Sequence, residues 1–250
     1  MRYIELEEVT STNSWISQHE GELDDLTLVS AVTQTAGRGQ RGNSWEAAPG
    51  ENLTFSVLHR PADFPARDQF AVSCAVSCAV ADYLASRDIE AKVKWPNDVY
   101  VADRKIAGIL IENSLMGSLL SRTIIGIGIN INQREFLSDA PNPVSLSQLT
   151  GKTYSLAEER ISLGETLELR LRSISSAEGR ERIHREFTTR MWRGDGKFYP
   201  FRDVASGRTY SGRIQDVAPQ GFLTVEESPA TPGATVQSHR YAFKEVEFLL

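Results

Sequence analysis

Only two cysteines occur in the 250 residues, Cys74 and Cys78, four apart inside FAVSCAVSCAVADYL. Sites one helical turn apart on one helix suit a disulfide poorly, so a fold stapled by disulfides is excluded and the segment reads as a buried helix with reduced thiols. The four histidines, His19, His59, His184 and His239, are scattered without ligand spacing, which argues against a zinc site. No window approaches the roughly 18 unbroken apolar residues of a membrane span, and MRYIELEEVTSTN has no basic-plus-apolar leader. A cytoplasmic protein with no membrane partner is therefore expected. Lysine and arginine number 27 against 33 acidic residues, a formal net charge of −6, which argues against broad nucleic-acid binding. There is no G-x-x-x-x-G-K-[ST] phosphate loop, no internal repeat and no low-complexity tract.

What is present is an alternation of strand and helix patterns in an ordinary globular composition, 40% hydrophobic and 24% charged. STNSWISQ opens a helix, with Ser11, Thr12 or Asn13 as the capping residue. LTLVSAV and NLTFSVLHRP read as strands, and the small-residue segment as a helix over about residues 67–86. KVKWPNDVYVADRKIAGILIEN predicts a strand, a break at Pro96 and two strands joined near Asp103, with Asn97 and Asp98 turned outward on the bend. RTIIGIGININ is a further strand, and SLAEERISLGETLELRLRSI and GRERIHREFTTRMW are helical. After Trp192 the helical period disappears. Short alternating runs separated by Gly, Pro and Ser predict a small all-β module of about five strands. The expected organisation is one unit over residues 1–192 and a second over 193–250.

Two stretches carry chemistry. TQTAGRGQRGNSW, residues 33–45, combines three glycines with Arg38 and Arg41 and no acid, directly after a buried strand. Glycine frees the backbone to wrap anionic oxygens, and guanidinium forks suit carboxylate or phosphate. A plain solvated turn has the same composition. In the second stretch, Lys105 opens the strand after KWPND and lies near the same sheet end if that strand pairs with VYV. The alternative is an edge hairpin with Lys94, Arg104 and Lys105 as surface charges.

Taken in order, STN, TQTAGRGQRGNSW, KWPNDVYV, DRKIAGILIE and IIGIGININ closely resemble the biotin protein ligases, from about Thr10 to Asn132. The β-rich tail resembles that family's C-terminal module more loosely. The resemblance implies an α+β fold: a mixed sheet flanked by helices, of the class II aminoacyl-tRNA synthetase type, followed by a small SH3-like β-barrel. It implies two steps, with Mg2+ and ATP as cofactors and biotin as substrate. Biotin and ATP give biotinyl-5′-AMP and pyrophosphate, and the acyl group then passes to a lysine of a biotin carboxyl carrier domain, such as that of acetyl-CoA carboxylase. No dedicated protein metal site is expected.

By the same resemblance, Ser11, Thr12, Asn13 and Gln34 face the biotin head. Gly37, Arg38, Gly39 and Gln40 close over its carboxylate, and Lys105 bridges that carboxylate and the α-phosphate. Gly108, Leu110, Gly126 and Ile127 wall the ring and tail, while Arg41, Trp45, Asn97 and Asn130 serve the nucleotide. Lys105, Arg38 and Asp98 are the expected catalytic residues, Asp98 by positioning or deprotonating the acceptor lysine. The family's loop often carries arginine where this chain has Gln40 and Asn43. With STN beginning by residue 11, a preceding DNA-binding domain is not expected, and relatives suggest a homodimer through the central sheet. Three rival readings are a lipoate or octanoate ligase of the same fold, a nucleic-acid module and a non-catalytic scaffold. GRGQRG and KWPND favour the biotin branch, the acidic balance disfavours the second reading, and convergence of polar and glycine positions on one sheet end disfavours the third.

Overall fold

The structure, a computed structural model, describes residues 1–137, 142–229, 231 and 236–249. A seven-stranded mixed sheet forms its centre, in the order β1-β2-β3-β7-β6-β5-β4. In chain order it comprises β1 (Arg2–Val9), α1 (Thr12–His19), β2 (Thr27–Gln34), β3 (Leu53–His59), α2 (Phe70–Ala85), β4 (Lys92–Lys94), β5 (Asp98–Val101), β6 (Arg104–Met116) and β7 (Leu119–Ile129). Helices α3 (Leu146–Thr150), α4 (Leu156–Ser173) and α5 (Ala177–Thr189) follow. Strand β1, which the alternation in MRYIELEEV did not reveal, runs parallel to β2 on the sheet edge, whereas the other neighbours are antiparallel.

The pleat of β7 decides the two faces. Ile125, Ile127 and Ile129 join the main core with α2, α4 and α5, whereas Ile124 packs on the opposite side with Ile16, Val29 and Leu58. Alternate strand residues point to opposite faces, so Gly126 and Gly128 lie on the side of Ile124, and in register across β6 stand Leu110 and Gly108. Helix α1 is amphipathic enough to seat Ile16 in that second cluster. Burying one such side chain contributes about 1.5–3 kcal/mol, and it plants the first turn of α1 over the glycine positions. The thiols of Cys74 and Cys78 are buried and unbridged within α2, and burial pushes the Cys78 thiol up to about 12. No described helix is long and apolar enough to cross a membrane.

A second, antiparallel sheet follows, ordered β11-β10-β9-β8-β12. Its strands are β8 (Tyr199–Asp203), β9 (Thr209–Val217), β10 (Leu223–Glu227), β11 (Ser238–Tyr241) and β12 (Val246–Phe248), matching the five expected. It packs on the first sheet through aromatic residues. The Trp95 indole donates to the Gly221 carbonyl (3.0 Å) and meets Phe243 edge-on, and Trp192 lies against Phe248. Gly221 has φ +90, and a Cβ there would come within 2.7 Å of the Phe70 ring, so only glycine fits this contact.

Candidate active site

A cavity of about 1150 Å³ opens between the α1 face of the large sheet, the glycine-rich segment and the edge of the second sheet. Its floor is polar, made of neutral side chains with the Glu112 carboxylate at one end of their hydrogen-bond chain. Ser11, Thr12 and Asn13 are all buried. The Thr12 amide donates to Gln34 Oε1 (2.8 Å), and the Thr12 and Ser56 hydroxyls stand 2.6 Å apart. Ser56 donates to Asn13 Oδ1 (2.5 Å), and Asn13 Nδ2 donates to Glu112 Oε2 (2.8 Å). Gly126 makes room for this arrangement, because a Cβ there would lie 2.4 Å from Asn13 Oδ1. Ser11 occupies the cap position of α1, but no side chain closes that cap. The capping role expected of this triplet is not realised, since Thr12 and Asn13 are engaged across the sheet.

Residues 37–45 form a short hairpin over the cavity. Arg38 and Ser44 make an antiparallel bridge, Gly39 N donates to Asn43 O (2.6 Å) and Trp45 N to Gly37 O (3.0 Å). Gly37 permits that closeness, because a Cβ on it would be 2.6 Å from the Trp45 carbonyl oxygen. Gly37 itself borders a smaller recess outside the hairpin, of about 510 Å³, rather than the main cavity. The Arg38 guanidinium donates to Ser14 Oγ (3.1 Å) and pairs with the Glu112 carboxylate. Gly39 and Gln40 line the main cavity. The side chain of Arg41 lies outside the described residues.

Opposite the hairpin, Lys105 Nζ sits 2.8 Å from Asp98 Oδ1 and 5.6 Å from the Trp45 ring. The Trp45 indole covers Gly108 and Gly128, where a Cβ would come within 2.9 and 2.3 Å of the ring, and its buried Nε1 has no partner among the described residues. Gly108, Leu110, Gly126 and Ile127 all line this cavity. Asn97 departs from the outward placement expected of it. It is buried and its amide donates to the Ile109 carbonyl, while Ile109 N donates back to Asn97 O (3.1 Å). The turn at Pro96 is thereby tied into β6, leaving Asp98 to reach Lys105. Asn130 stands apart. Its Nδ2 donates to Val144 O (3.1 Å), and it is not part of the cavity wall.

Sequence reasoning passed over three polar residues here, Ser56, Glu112 and Lys244, and named Lys94 only as a possible surface charge, whereas it lines the cavity. Glu112 ends the GILIE stretch and faces the floor by strand periodicity with Gly108 and Leu110, so its signal was available. Among the described residues no group of three acidic, histidine or cysteine side chains could hold a metal ion.

A model of the Biotin/lipoate A/B protein ligase family matches residues 3–130. Over 135 residues the chain is 36% identical to the Bifunctional ligase/repressor BirA of Salmonella typhimurium, covering 54% of this chain and 42% of BirA. It is 34% identical over 132 residues to the Biotin--[acetyl-CoA-carboxylase] ligase of Mycobacterium tuberculosis, covering 51% of this chain and 47% of that protein. The match thus spans less than half the length of these curated relatives. The structure of biotin protein ligase from Aquifex aeolicus in complex with biotin and ATP superposes with TM-score 0.78 at 24% identity, covering 98% of this chain and 97% of that one, a likeness of fold.

Proposed function

Because the chain belongs to the biotin/lipoate A/B protein ligase family, we propose that it is a biotin protein ligase. In this reading it joins biotin to AMP from ATP, releasing pyrophosphate, and transfers the biotinyl group to a lysine of a biotin carboxyl carrier domain, releasing AMP. One observation carries this reading: a strand-borne ammonium, Lys105, faces a glycine-rich hairpin across a cavity whose far end is a buried, uncharged hydrogen-bonding floor.

The floor suits the uncharged ring system of biotin. Thr12, Asn13, Gln34 and Ser56 are oriented before any ligand arrives, so little ordering is needed on binding. The acid end then lies toward Lys105 and the hairpin. A carboxylate approaching an α-phosphate brings two anions together, and Lys105 offsets that repulsion as charge shifts in the transition state. Asp98 pairs with the ammonium 2.8 Å away, and in this reading it also positions or deprotonates the acceptor lysine. An unperturbed lysine amine, with a pKa of about 10.4, is otherwise protonated at neutral pH. Arg38, carried on the hairpin, is the cation that can follow the ligand. The adenylate is a mixed anhydride sensitive to water, and a hairpin closing over it with Trp45 on the nucleotide side excludes solvent. ATP is brought with Mg2+, which takes most of its coordination from phosphate oxygens and water, in keeping with a wall that offers few carboxylates.

The test supplies the purified protein with ATP, Mg2+ and either biotin or lipoate, following pyrophosphate release and then the mass of a biotin-carrier fragment. Biotin-dependent pyrophosphate release and a single biotinyl addition are expected. Release with lipoate alone would move the assignment to the lipoyl branch, and release with neither would overturn it.

A further inference from the structure

Glu112 stands behind the main cavity wall, bordering the smaller recess outside the hairpin. Its two carboxylate oxygens have different partners. Oε1 pairs with the Arg38 guanidinium, and Oε2 accepts from Asn13 Nδ2 (2.8 Å). The Leu110 carbonyl also faces that nitrogen, but at 3.5 Å it is too far to orient the amide by itself. A carboxylate accepts and has no proton to donate. The Asn13 amide is therefore turned with its nitrogen toward Glu112 and its oxygen toward Ser56.

From that end the protons can be counted. Ser56 donates to Asn13 Oδ1 (2.5 Å) and has no second proton, so across the 2.6 Å to Thr12 Oγ1 it can only accept. The Thr12 proton is taken up there. Gln34 Oε1 lies 3.2 Å from Thr12 Oγ1 and already accepts from the Thr12 amide (2.8 Å). That longer separation exceeds the roughly 2.5–3.0 Å of a hydroxyl hydrogen bond, so it is the contact that goes without a proton. Thr12 lines the cavity, and its hydroxyl oxygen is left as an acceptor. Glu112 thus sets the direction of the whole chain, from Thr12 through Ser56 and Asn13 to itself.

We infer that Glu112 is a positioning residue that selects for a ring bearing an N–H, because through Asn13 and Ser56 it fixes the Thr12 hydroxyl oxygen as an acceptor. This rests on the ligase reading and states what the floor demands of the acid's ring. The cyclic urea of biotin has N–H groups to donate. The dithiolane of lipoate has none and would leave the Thr12 oxygen buried without a donor, a mismatch that a hydrogen-bonding site rejects strongly.

Since Glu112 also pairs with Arg38, the test must separate ring from acid. Calorimetric titration of the full chain with biotin and with biotinamide, which lacks the carboxylate, does so. Wild-type protein should bind both. Glu112→Met should weaken both by a similar factor, about tenfold, whereas Arg38→Met should weaken biotin alone. Glu112→Gln keeps an acceptor for Asn13 and should hold biotinamide affinity within twofold. Thr12→Val should weaken biotinamide, and adding Glu112→Met to it should cost less than a further twofold, since the acceptor that Glu112 fixes is already gone. Melting curves check that each variant is folded, and Glu112→Ala replaces the methionine variant if that one is not. A loss confined to biotin would show that Glu112 acts through Arg38, and losses that multiply in the double variant would show that it does not act through Thr12. Either would overturn the inference. If the wild type binds both ligands and Glu112→Met binds them equally well, the inference alone fails. If the wild type binds neither, the ligase reading fails and the inference with it.

Discussion

The two ends of the cavity are built on opposite principles. At the floor, Thr12, Asn13 and Ser56 are almost fully buried, carry no charge and satisfy one another through a short chain of hydrogen bonds. At the mouth, Arg38 is 45% exposed, Lys105 and Asp98 are half-buried, and each cation rests on one carboxylate. A neutral network can be set in place completely, because a buried dipole is inexpensive once paired. A bare buried charge is not, so the ionic end keeps provisional partners that substrate oxygens can replace. In the proposed ligase, recognition of a neutral head group and activation of its acid are thus divided between the floor and the mouth.

That division can be broken most severely at its ionic end. Lys105→Met should reduce the pyrophosphate burst rate by about 10²–10³-fold, the usual scale for removing one charge-stabilising donor, with a much smaller change in biotin affinity. Comparable losses in both would contradict the separation. The floor should yield next. Gly126→Ala puts a methyl group onto Asn13 and parts it from Ser56. A buried polar group left unpaired costs about 1–3 kcal/mol, so biotin affinity measured by calorimetry should fall about ten- to hundredfold while the KM for ATP holds. The smallest effect is expected at Glu112→Gln. It removes the Arg38 counter-ion but leaves an acceptor for Asn13. Half-exposed pairs contribute about 0–1 kcal/mol, so the melting temperature should stay within about two degrees. Trypsin cleavage at Arg38 should nevertheless quicken severalfold without ligand and return to the wild-type rate with biotin and ATP. An unchanged cleavage rate would show that Glu112 does not hold the hairpin.

The elements with strong local signatures were legible in the chain itself. The small-residue helix, the glycine-spaced strand β7 and the change of texture after Trp192 all appear where periodicity placed them. Strand β1 did not, because an edge strand of mixed exposure lacks clean alternation and is defined by a parallel partner 25 residues away in register, Arg2 opposite Thr27. Asn97 was misjudged for a related reason. Local chain geometry at Pro96 indicates a bend, but the inward turn of the amide depends on the Ile109 carbonyl across the sheet. In the site, residues inside compact motifs could be named from sequence. Ser56 and Lys244 could not, since what matters about them is juxtaposition: Ser56 meets Asn13 across 43 positions and Lys244 meets Gln40 across 204.

The facing glycines of β6 and β7 have a consequence for altering what this cavity accepts. A bare patch of pleated backbone, bounded by Gly108, Gly126 and Gly128, is a wall that cannot be repacked by rotamers or trimmed further by substitution. Every replacement there adds atoms where the indole or the asparagine already sits. If the chain is the proposed ligase, acceptance of a longer or bulkier acid must therefore be sought on the other side, in the hairpin and at Trp45, while the sheet acts as a fixed gauge of depth.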